Sequence, residues 1–187
     1  VYAHAATLEG IEIVGIDCHI GSQIVETAPF LDALHRVLTL ADALEADGIA
    51  LRHLDLGGGL GIRYDTETPP DRGAFLTQLL DRVDQWRAVK PRRAEVEVLF
   101  EFGRALVAEA GLLLTRVEYL KDNGARHFAV VDAAMNDLMR PALYEAWHPV
   151  ETVIERTDRP PQLLDVVGPV CESGDWLARE RSLKVQA

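Results

Sequence analysis

Apolar and polar residues in the first half of the chain repeat with two periods, one typical of buried strands and one of amphipathic helices. Residues 11–19 are β-branched and apolar, which predicts a buried strand. From Pro29 to Gly48, apolar residues recur every three or four positions, which predicts a helix. The further predicted elements of this half are a strand over residues 50–56, a helix over residues 71–89 and a strand over residues 95–101. This alternation favours parallel strands joined by helical crossovers.

In the second half of the chain, short β-rich segments and turns replace the helical periodicity. Predicted strands over residues 106–121 and 126–132 flank an Asp-Asn-Gly sequence at positions 122–124, which is typical of a hairpin turn. Another short strand is predicted over residues 163–167. We therefore expect this half to be mostly antiparallel.

The change of pattern predicts an α/β chain with two domains, residues 1–105 and residues 106–187. The 187 residues carry a net charge of −11, which argues against a nucleic-acid partner. No apolar run approaches the roughly 20 residues that cross a bilayer, so we expect no membrane partner. Only two cysteines are present, which favours a reducing, cytoplasmic compartment.

Each predicted strand of the first half ends in a polar or glycine-rich cluster. The clusters are His-Ile-Gly-Ser-Gln at positions 19–23, Gly-Gly-Gly-Leu-Gly at 57–61 and Glu-Phe-Gly-Arg at 101–104. Ligands of parallel α/β folds bind at the carboxyl ends of the strands. Three clusters in register therefore predict a ligand site at this edge.

These clusters contain the groups that an aromatic phosphate ligand needs. The glycines at 57–59 let backbone N–H groups approach a phosphate, although such a run is as often a plain tight turn. Ser22 can donate a hydroxyl to the same anion, and His19 can lie against an aromatic ring or be structural. Glu101 can pair with a ring nitrogen and Arg104 with a phosphate or carboxylate, or both can form surface salt bridges.

Two segments of the second half also carry candidate chemistry. Arg140 and Tyr144 follow a turn after a predicted strand, either as ligand contacts or as a surface arginine with a packed tyrosine. Cys171 and Glu172 lie in a glycine-flanked segment at positions 168–175, which suits a loop that presents both side chains. The neighbouring carboxylate disfavours a thiolate, so Cys171 fits a proton donor better than a nucleophile.

Five motifs together resemble the diaminopimelate decarboxylase family. They are the three clusters above, Arg-Pro-Ala-Leu-Tyr at positions 140–144 and Cys-Glu-Ser-Gly-Asp at 171–175. They occur in the order of the family and cover nearly the whole chain. Five in order make coincidence very unlikely, whereas one alone would mean little.

This resemblance implies a group IV decarboxylase that uses pyridoxal 5'-phosphate. Its fold would be a (β/α)8 TIM barrel of the alanine-racemase type followed by an antiparallel β domain, with residues 1–105 in the barrel and 106–187 in the β domain. Its reaction would convert meso-diaminopimelate to L-lysine and CO2, the last step of lysine biosynthesis. The family forms homodimers in which the cysteine is contributed across the interface.

The resemblance also implies a role for each motif residue. His19 would stack on the cofactor ring, Glu101 would face the pyridine nitrogen, and Cys171 would be the catalytic proton donor together with His19. The expected cofactor contacts are His19, Ser22, Gly57, Gly58, Gly59, Glu101, Gly103 and Arg104. The expected substrate contacts are Arg104, Arg140, Tyr144 and Glu172.

Two features depart from the family. Phe102 replaces the usual proline of the third motif, so the loop that carries Arg104 is expected to be less rigid. The lysine that forms the Schiff base is also missing, because Lys90, Lys121 and Lys184 lie in no suitable motif. We therefore expect the chain to be a fragment that is inactive by itself.

Other functions remain open at this stage. A metal hydrolase would use Asp17 with His19 and His53 with Asp55, since each pair shares one face of a strand. A non-catalytic relative that binds a protein partner would also tolerate the missing lysine. Within the enzyme class, the substrate could instead be ornithine, arginine or carboxynorspermidine.

Overall fold

The computed structural model describes residues 1–154 and 156–186, and it divides into two compact units. Unit 1 contains residues 1–63 and 67–111, and unit 2 contains residues 64–66 and 112–187. Residues 155 and 187 of the second predicted domain lie outside the described residues. The chain is therefore α/β with two separate sheets.

Unit 1 alternates helices with the strands of a parallel sheet. Its elements are α1 (Tyr2–Ala5), β1 (Gly15–Asp17), α2 (Ala28–Ala46), β2 (His53–Asp55), α3 (Arg72–Arg87), a 3-10 helix (Pro91–Glu95), β3 (Glu97–Leu99) and α4 (Gly103–Val107). The sheet order is β1-β2-β3, and Leu54 lies between Ile16 and Val98 in register. The predicted parallel pairing is confirmed.

The two long helices begin and end close to their predicted limits. In α2, Phe30, Leu34, Val37, Ala41 and Leu44 form the buried stripe, as their helical spacing predicts. The Oδ1 atom of Asp71 caps α3 by accepting a hydrogen bond of 2.8 Å from the Ala74 amide. Phe75 of α3 packs edge-on against Phe30 of α2, with ring centroids 4.9 Å apart. Hydrophobic periodicity was thus sufficient to place both helices.

The strands of unit 1 are shorter than predicted. Each pairs over only three residues, whereas the apolar runs extend over seven to nine positions. Gly57 and Gly59 have positive φ angles of 67° and 90°, which end the extended conformation just after β2. The residues that follow the strands therefore form the loops of the carboxyl edge.

Unit 2 is built on a four-stranded sheet in the order β4-β5-β6-β7. Its elements are β4 (Val117–Asp122), β5 (His127–Val131), α5 (Met139–Tyr144), β6 (Gln162–Val167) and β7 (Trp176–Leu183). The predicted hairpin is confirmed: Asp122 pairs with His127, and the Asp122 carboxylate accepts a 2.7 Å hydrogen bond from the Gly124 amide. Apolar residues of β5, β6 and β7 form the core of this unit.

The second half departs from the prediction in three details. The predicted strand over 106–121 begins only at Val117, because Gly103–Val107 is helical and 108–116 is not a strand. The half is mostly antiparallel as expected, since β4–β5 and β6–β7 are antiparallel pairs. The β5–β6 pair is parallel, because α5 and a long connection carry the chain back to the same end of the sheet. The longest strand, Trp176–Leu183, was not predicted.

The charges of β7 explain why it was missed. Arg179 and Arg181 interrupt the apolar alternation, so the segment resembles a polar tail in the sequence. In the structure, the Arg179 guanidinium lies 3.9 Å from the centroid of the Trp176 ring, and that of Arg181 lies 4.7 Å from the centroid of Trp147. Stacking on aromatic rings lets these cations belong to a strand. Among the described residues, no helix is long and apolar enough to cross a membrane.

Candidate functional site

The three predicted clusters of unit 1 meet at the carboxyl edge of its sheet. The Gly58 amide donates a 3.3 Å hydrogen bond to His19 Nδ1, and the Glu101 amide donates a 2.9 Å hydrogen bond to the Gly57 carbonyl. The Nδ1 atom of His19 lies 4.0 Å from a carboxylate oxygen of Glu101. Side chains from the first and third clusters are thus gathered around the glycine turn of the second.

The glycines at 57–59 are required for this packing. A Cβ atom at Gly57 would overlap the carbonyl of Cys18, one at Gly58 the carbonyl of Glu101, and one at Gly59 the carbonyl of Gly21. The glycine run is therefore a tight turn that lets three strand ends approach backbone to backbone. Whether its amides also bind a phosphate stays a prediction.

His19 and Glu101 remain accessible although they are held in place. Their side chains are 49% and 54% exposed, so their 4.0 Å approach leaves both open to a ligand. The neighbouring Cys18 thiol has a raised pKa, because it is partly buried and lies beside Asp17. An aromatic base and a carboxylate are thus presented together at this edge, while the nearby thiol is kept protonated.

Gln23 connects the first cluster to the residue just after the second and to Arg104 of the third, a role that the sequence analysis did not assign. Its amide nitrogen donates a 2.6 Å hydrogen bond to the Ile62 carbonyl, and its amide oxygen accepts one of 3.2 Å from the Ile62 amide. The same oxygen accepts a 3.4 Å hydrogen bond from Arg104. Gln23 has a φ angle of 61°, a left-handed conformation that is rare outside glycine. Its presence in the first motif was the available sequence indication.

Other candidates of unit 1 lie close to this group. Ser22 is exposed and follows Gly21, whose carbonyl leaves no room for a Cβ atom at Gly59. Gly103 begins α4, and its amide donates a 2.8 Å hydrogen bond to the Glu101 carbonyl. Phe102, which replaces the family proline, packs against Phe75 and Phe100 with ring centroids 5.8 Å and 4.9 Å away. Aromatic packing therefore anchors the loop where proline is missing.

The pairs that the metal alternative requires have other contacts. The Asp55 carboxylate accepts a 2.8 Å hydrogen bond from the Gly57 amide, and the His53 ring lies directly over Gly15. Within the described ranges, no group of three or more His, Cys, Asp or Glu side chains is placed to hold a metal ion.

In unit 2, Arg140 is held by two side chains from outside its own helix. One guanidinium nitrogen donates a 2.8 Å hydrogen bond to the Tyr64 hydroxyl and lies 3.2 Å from Nε2 of His148. The guanidinium also lies over the Tyr64 ring, 4.9 Å from its centroid. Tyr144 is four residues along α5 and is exposed, so both predicted substrate residues belong to one short helix. Sequence reasoning found Arg140 and Tyr144 but missed Tyr64 and His148.

Cys171 and Glu172 lie in the loop between β6 and β7, and both are exposed as predicted. The Glu172 carboxylate accepts a 3.1 Å hydrogen bond from the Gly174 amide and a 3.2 Å one from the Ser173 hydroxyl. These local bonds direct the carboxylate back toward its own loop. The thiol and the carboxylate are therefore presented on one turn.

The buried side chain of Asp175 holds this loop in place, which the sequence analysis did not predict. Its side chain is buried and accepts a 2.6 Å hydrogen bond from the Met135 amide and a 2.7 Å one from the Val170 amide. A Cβ atom at Gly168 would overlap the same carboxylate. The final aspartate of the Cys-Glu-Ser-Gly-Asp motif thus connects the cysteine loop to the segment that follows β5.

Comparison with known proteins identifies the family of this chain. The family model described as "Pyridoxal-dependent decarboxylase, C-terminal sheet domain" matches residues 16–187. The diaminopimelate decarboxylase of Pseudomonas aeruginosa is 52% identical over 98% of this chain, which spans 42% of the length of that relative. The one of Haemophilus influenzae is 46% identical over 99% of this chain, which spans 43% of its length. Diaminopimelate decarboxylase from Helicobacter pylori, solved in complex with L-lysine, is 34% identical with a TM-score of 0.83, covering 99% of this chain and 44% of that one. The resemblance inferred from the motifs is confirmed, and the chain belongs to the pyridoxal-dependent decarboxylase family.

Proposed function

We propose that this chain is part of a diaminopimelate decarboxylase, a carboxy-lyase that converts meso-diaminopimelate to L-lysine and CO2. The observation that carries the proposal is the grouping of His19, Gly58 and Glu101 at one sheet edge. That grouping occurs in a chain about half identical to curated diaminopimelate decarboxylases over nearly its whole length. The chain spans less than half the length of those relatives, so the activity is proposed for a protein that contains it.

The proposed architecture is part of a (β/α)8 barrel, residues 1–105, followed by part of the β domain, residues 106–187. Three parallel strands, with α2 and α3 as crossovers, support the barrel assignment for unit 1. The four-stranded sheet supports the β-domain assignment for unit 2. A barrel active site lies at the carboxyl ends of the strands, which is where the three clusters meet.

The residues at this edge fit pyridoxal 5'-phosphate. His19 provides an accessible ring that can lie against the pyridine ring, and Glu101 provides an accessible carboxylate for its nitrogen. The proposed phosphate contacts are Ser22, Gly57, Gly58, Gly59, Gly103 and Arg104. When bound, the cofactor supplies the electron-accepting ring that makes loss of CO2 from an amino acid possible.

The remaining candidates suit the two amino-acid heads of diaminopimelate. Arg140 and Arg104 are proposed to bind the carboxylate of the head that does not react, because a guanidinium pairs with a carboxylate through two parallel hydrogen bonds. Glu172 is proposed to bind the ammonium group of that head, and Tyr144 to donate a hydrogen bond. A glutamate after the cysteine favours diaminopimelate, since ornithine decarboxylases typically have an aspartate there.

Cys171 is proposed to deliver the proton that replaces the lost CO2. Its exposed thiol lies on a loop fixed by Asp175, so the donor is accessible and its position is defined. The proposal includes a homodimer in which one subunit contributes this loop to the site of its partner. It also includes a cytoplasmic location, where the thiol stays reduced.

The decisive experiment measures CO2 release from meso-diaminopimelate in the presence of pyridoxal phosphate. Two proteins are compared, the 187-residue chain and the product of the extended reading frame that contains it, with ornithine and arginine as control substrates. We expect release only from the extended protein and only with diaminopimelate. Release from ornithine or arginine instead would reassign the substrate, and no release from any of the three would overturn the proposal.

A further inference from the structure

The guanidinium of Arg140 contacts two side chains from other segments, Tyr64 and His148, whereas an arginine on the surface usually points into solvent. Tyr64 lies 76 positions before Arg140, and His148 lies eight positions after it. Tyr64 contributes both its hydroxyl, at 2.8 Å, and the face of its ring, at 4.9 Å from the guanidinium carbon. The His148 and Tyr64 rings meet edge to face, with centroids 5.2 Å apart. The three side chains therefore form one packed cluster inside unit 2.

The short helix α5 by itself cannot hold the Arg140 side chain in one conformation. It has six residues and ends at Tyr144, where Glu145 adopts a left-handed conformation with a φ of 53°. An arginine on so short a helix would sample many rotamers, and holding it in one costs up to about 2 kcal/mol of side-chain entropy. Tyr64 and His148 restrict those rotamers before any ligand arrives.

The cluster also favours the neutral form of His148. Partial burial of the ring lowers its pKa, and the positive charges of Arg140 and Arg181 lower it further. Arg181 donates a 3.3 Å hydrogen bond to the His148 carbonyl, and Asp65 interacts electrostatically with Arg181. The groups that act on His148 are therefore Arg140 on α5, the Tyr64 ring and Arg181 on β7, and Asp65 acts on Arg181.

A neutral His148 can accept a hydrogen bond from Arg140, whereas a protonated one cannot. In the neutral ring one nitrogen has a lone pair, and Nε2 at 3.2 Å from the guanidinium is placed to use it. Protonation would replace this acceptor with a donor and add a second positive charge beside Arg140. The arrangement is thus stable only while the imidazole is neutral.

We propose that Tyr64 and His148 are positioning residues that orient Arg140 toward the carboxylate of the unreacted substrate head, and that protonation of His148 releases Arg140 from this orientation. The inference rests on the proposed function, because it assumes that Arg140 meets that carboxylate. It adds two residues that act through Arg140 and a cause for pH-dependent recognition. Substrate affinity falls at acid pH while the chemical step itself is unaffected by this cluster.

Two ligands isolate the effect. L-Lysine retains the carboxylate of the unreacted head, whereas cadaverine, the corresponding diamine, lacks it. The affinity of L-lysine relative to cadaverine therefore reports the contacts with that carboxylate, and a change of this ratio in variants of Tyr64 or His148 reports the contribution that passes through Arg140. General damage to the fold or the cofactor site would weaken the binding of both ligands.

The experiment uses the extended protein loaded with cofactor and compares wild type with Tyr64→Phe, His148→Leu and His148→Gln. Tyr64→Phe keeps the ring and removes the hydroxyl, and His148→Leu removes the acceptor. Tyr64→Phe and His148→Leu are both expected to raise KM for meso-diaminopimelate about tenfold with little change in kcat, because uniform binding is lost. In titration calorimetry both variants should weaken the binding of L-lysine by a similar factor and leave the affinity for cadaverine unchanged. The matched control, His127→Gln, changes an exposed histidine of the same unit and should alter neither ligand.

The pH profile tests the role of protonation. The pKa of His148 lies below the ordinary value of 6.5, so the wild-type KM should rise as pH falls below 6.5. Gln places a permanent acceptor near the position of Nε2, so His148→Gln should have a smaller KM increase than His148→Leu. It should also lack the acid-dependent rise of KM seen in wild type, so that the ratio of its KM to the wild-type KM falls as pH falls. Dividing the profile of the variant by that of wild type removes all other titrations.

Failure of this inference can be told apart from failure of the proposed function. An extended wild-type protein that releases no CO2 from diaminopimelate contradicts the function and with it this inference. A wild type that is active, with variants that weaken L-lysine and cadaverine equally or neither, contradicts the positioning role alone. A histidine variant that keeps the full acid-dependent rise of KM contradicts the role of His148 protonation.

Discussion

Glu45 and Arg93 form an ion pair in which both side chains are almost excluded from solvent, at 8% and 5% exposure, with an N–O distance of 2.5 Å. Arg93 also pairs with Asp42 at 2.6 Å and stacks on Trp86, 4.3 Å from its ring centroid. Lys90 adds a further contact to Glu45 at 2.6 Å. This cluster joins α2 to the segment after α3, and it lies at the amino ends of the strands, opposite the candidate site.

Glu45→Gln should destabilise the chain, because it leaves the Arg93 charge buried with a weaker partner. Removing one member of a buried pair costs about 3–5 kcal/mol in the free energy of unfolding. Because Arg93 keeps its contact with Asp42, we expect a loss at the lower end, about 3 kcal/mol. Urea unfolding monitored by tryptophan fluorescence would measure it. Asp81→Asn, a similar change at an exposed position of α3, should leave the unfolding midpoint unchanged.

The same pair should give the chain acid-sensitive stability. Hydrogen bonds from Arg93 and then Lys90 lower the pKa of Glu45 from 4.5 to about 2. A carboxylate with a depressed pKa stabilises the folded state above its unfolded pKa, and the contribution is lost as the folded state takes up the proton. Stability should therefore decline between pH 4.5 and about 2, and the decline should be smaller in Glu45→Gln. An identical acid profile in wild type and variant would contradict this account.

Gly58→Ala should disrupt the edge at which the three clusters meet. The added methyl group would overlap the Glu101 carbonyl, a backbone atom that cannot rotate away. We expect a loss of about 2–3 kcal/mol in unfolding free energy, typical of overpacking, together with weaker cofactor binding. Gly111→Ala is the matched control, because nothing lies within 4 Å of its Cβ position. Equal effects of the two substitutions would show that the turn at Gly58 has room to spare.

Asp175→Asn should loosen the loop that carries Cys171. The carboxylate accepts two backbone amides, and an asparagine replaces one acceptor oxygen with a donor. Leaving one buried amide unsatisfied costs about 1–3 kcal/mol. Hydrogen exchange at the Val170 and Met135 amides should accelerate, whereas Ser173→Ala, on the exposed side of the loop, should leave both rates unchanged.

Cys171→Ser should slow decarboxylation without a comparable effect on substrate binding. Under the proposed function the thiol donates a proton, and loss of a general acid costs about 100-fold or more in kcat. The extended protein with its cofactor is the material for this assay. Cys18→Ala removes the other thiol and should retain turnover, which would exclude a general effect of thiol loss. A serine variant with wild-type kcat would transfer the proton-donor role to another group.

Local sequence patterns were enough to predict the helices and the hairpin. The stripe from Phe30 to Leu44 and the Asp-Asn-Gly turn depend on contacts within a few residues, so their periodicity and composition specify them. The motifs also identified the family, because five short segments retain both their residues and their order. The chemistry of His19, Glu101, Arg140 and Cys171 could be named for the same reason, although their roles remain proposals.

What the sequence alone determined, then, is the type and order of most elements and the residues that carry chemistry. Only the tertiary structure decided how distant segments combine: the parallel β5–β6 pair, the inclusion of charged β7 in the sheet, and the contacts that Gln23, Asp175 and Tyr64 make. Tyr64 and Arg140 are 76 positions apart, and no local pattern encodes a contact over that separation. Such contacts form because folding buries polar groups that must then find partners, and the partner is whichever group the fold brings within hydrogen-bond distance.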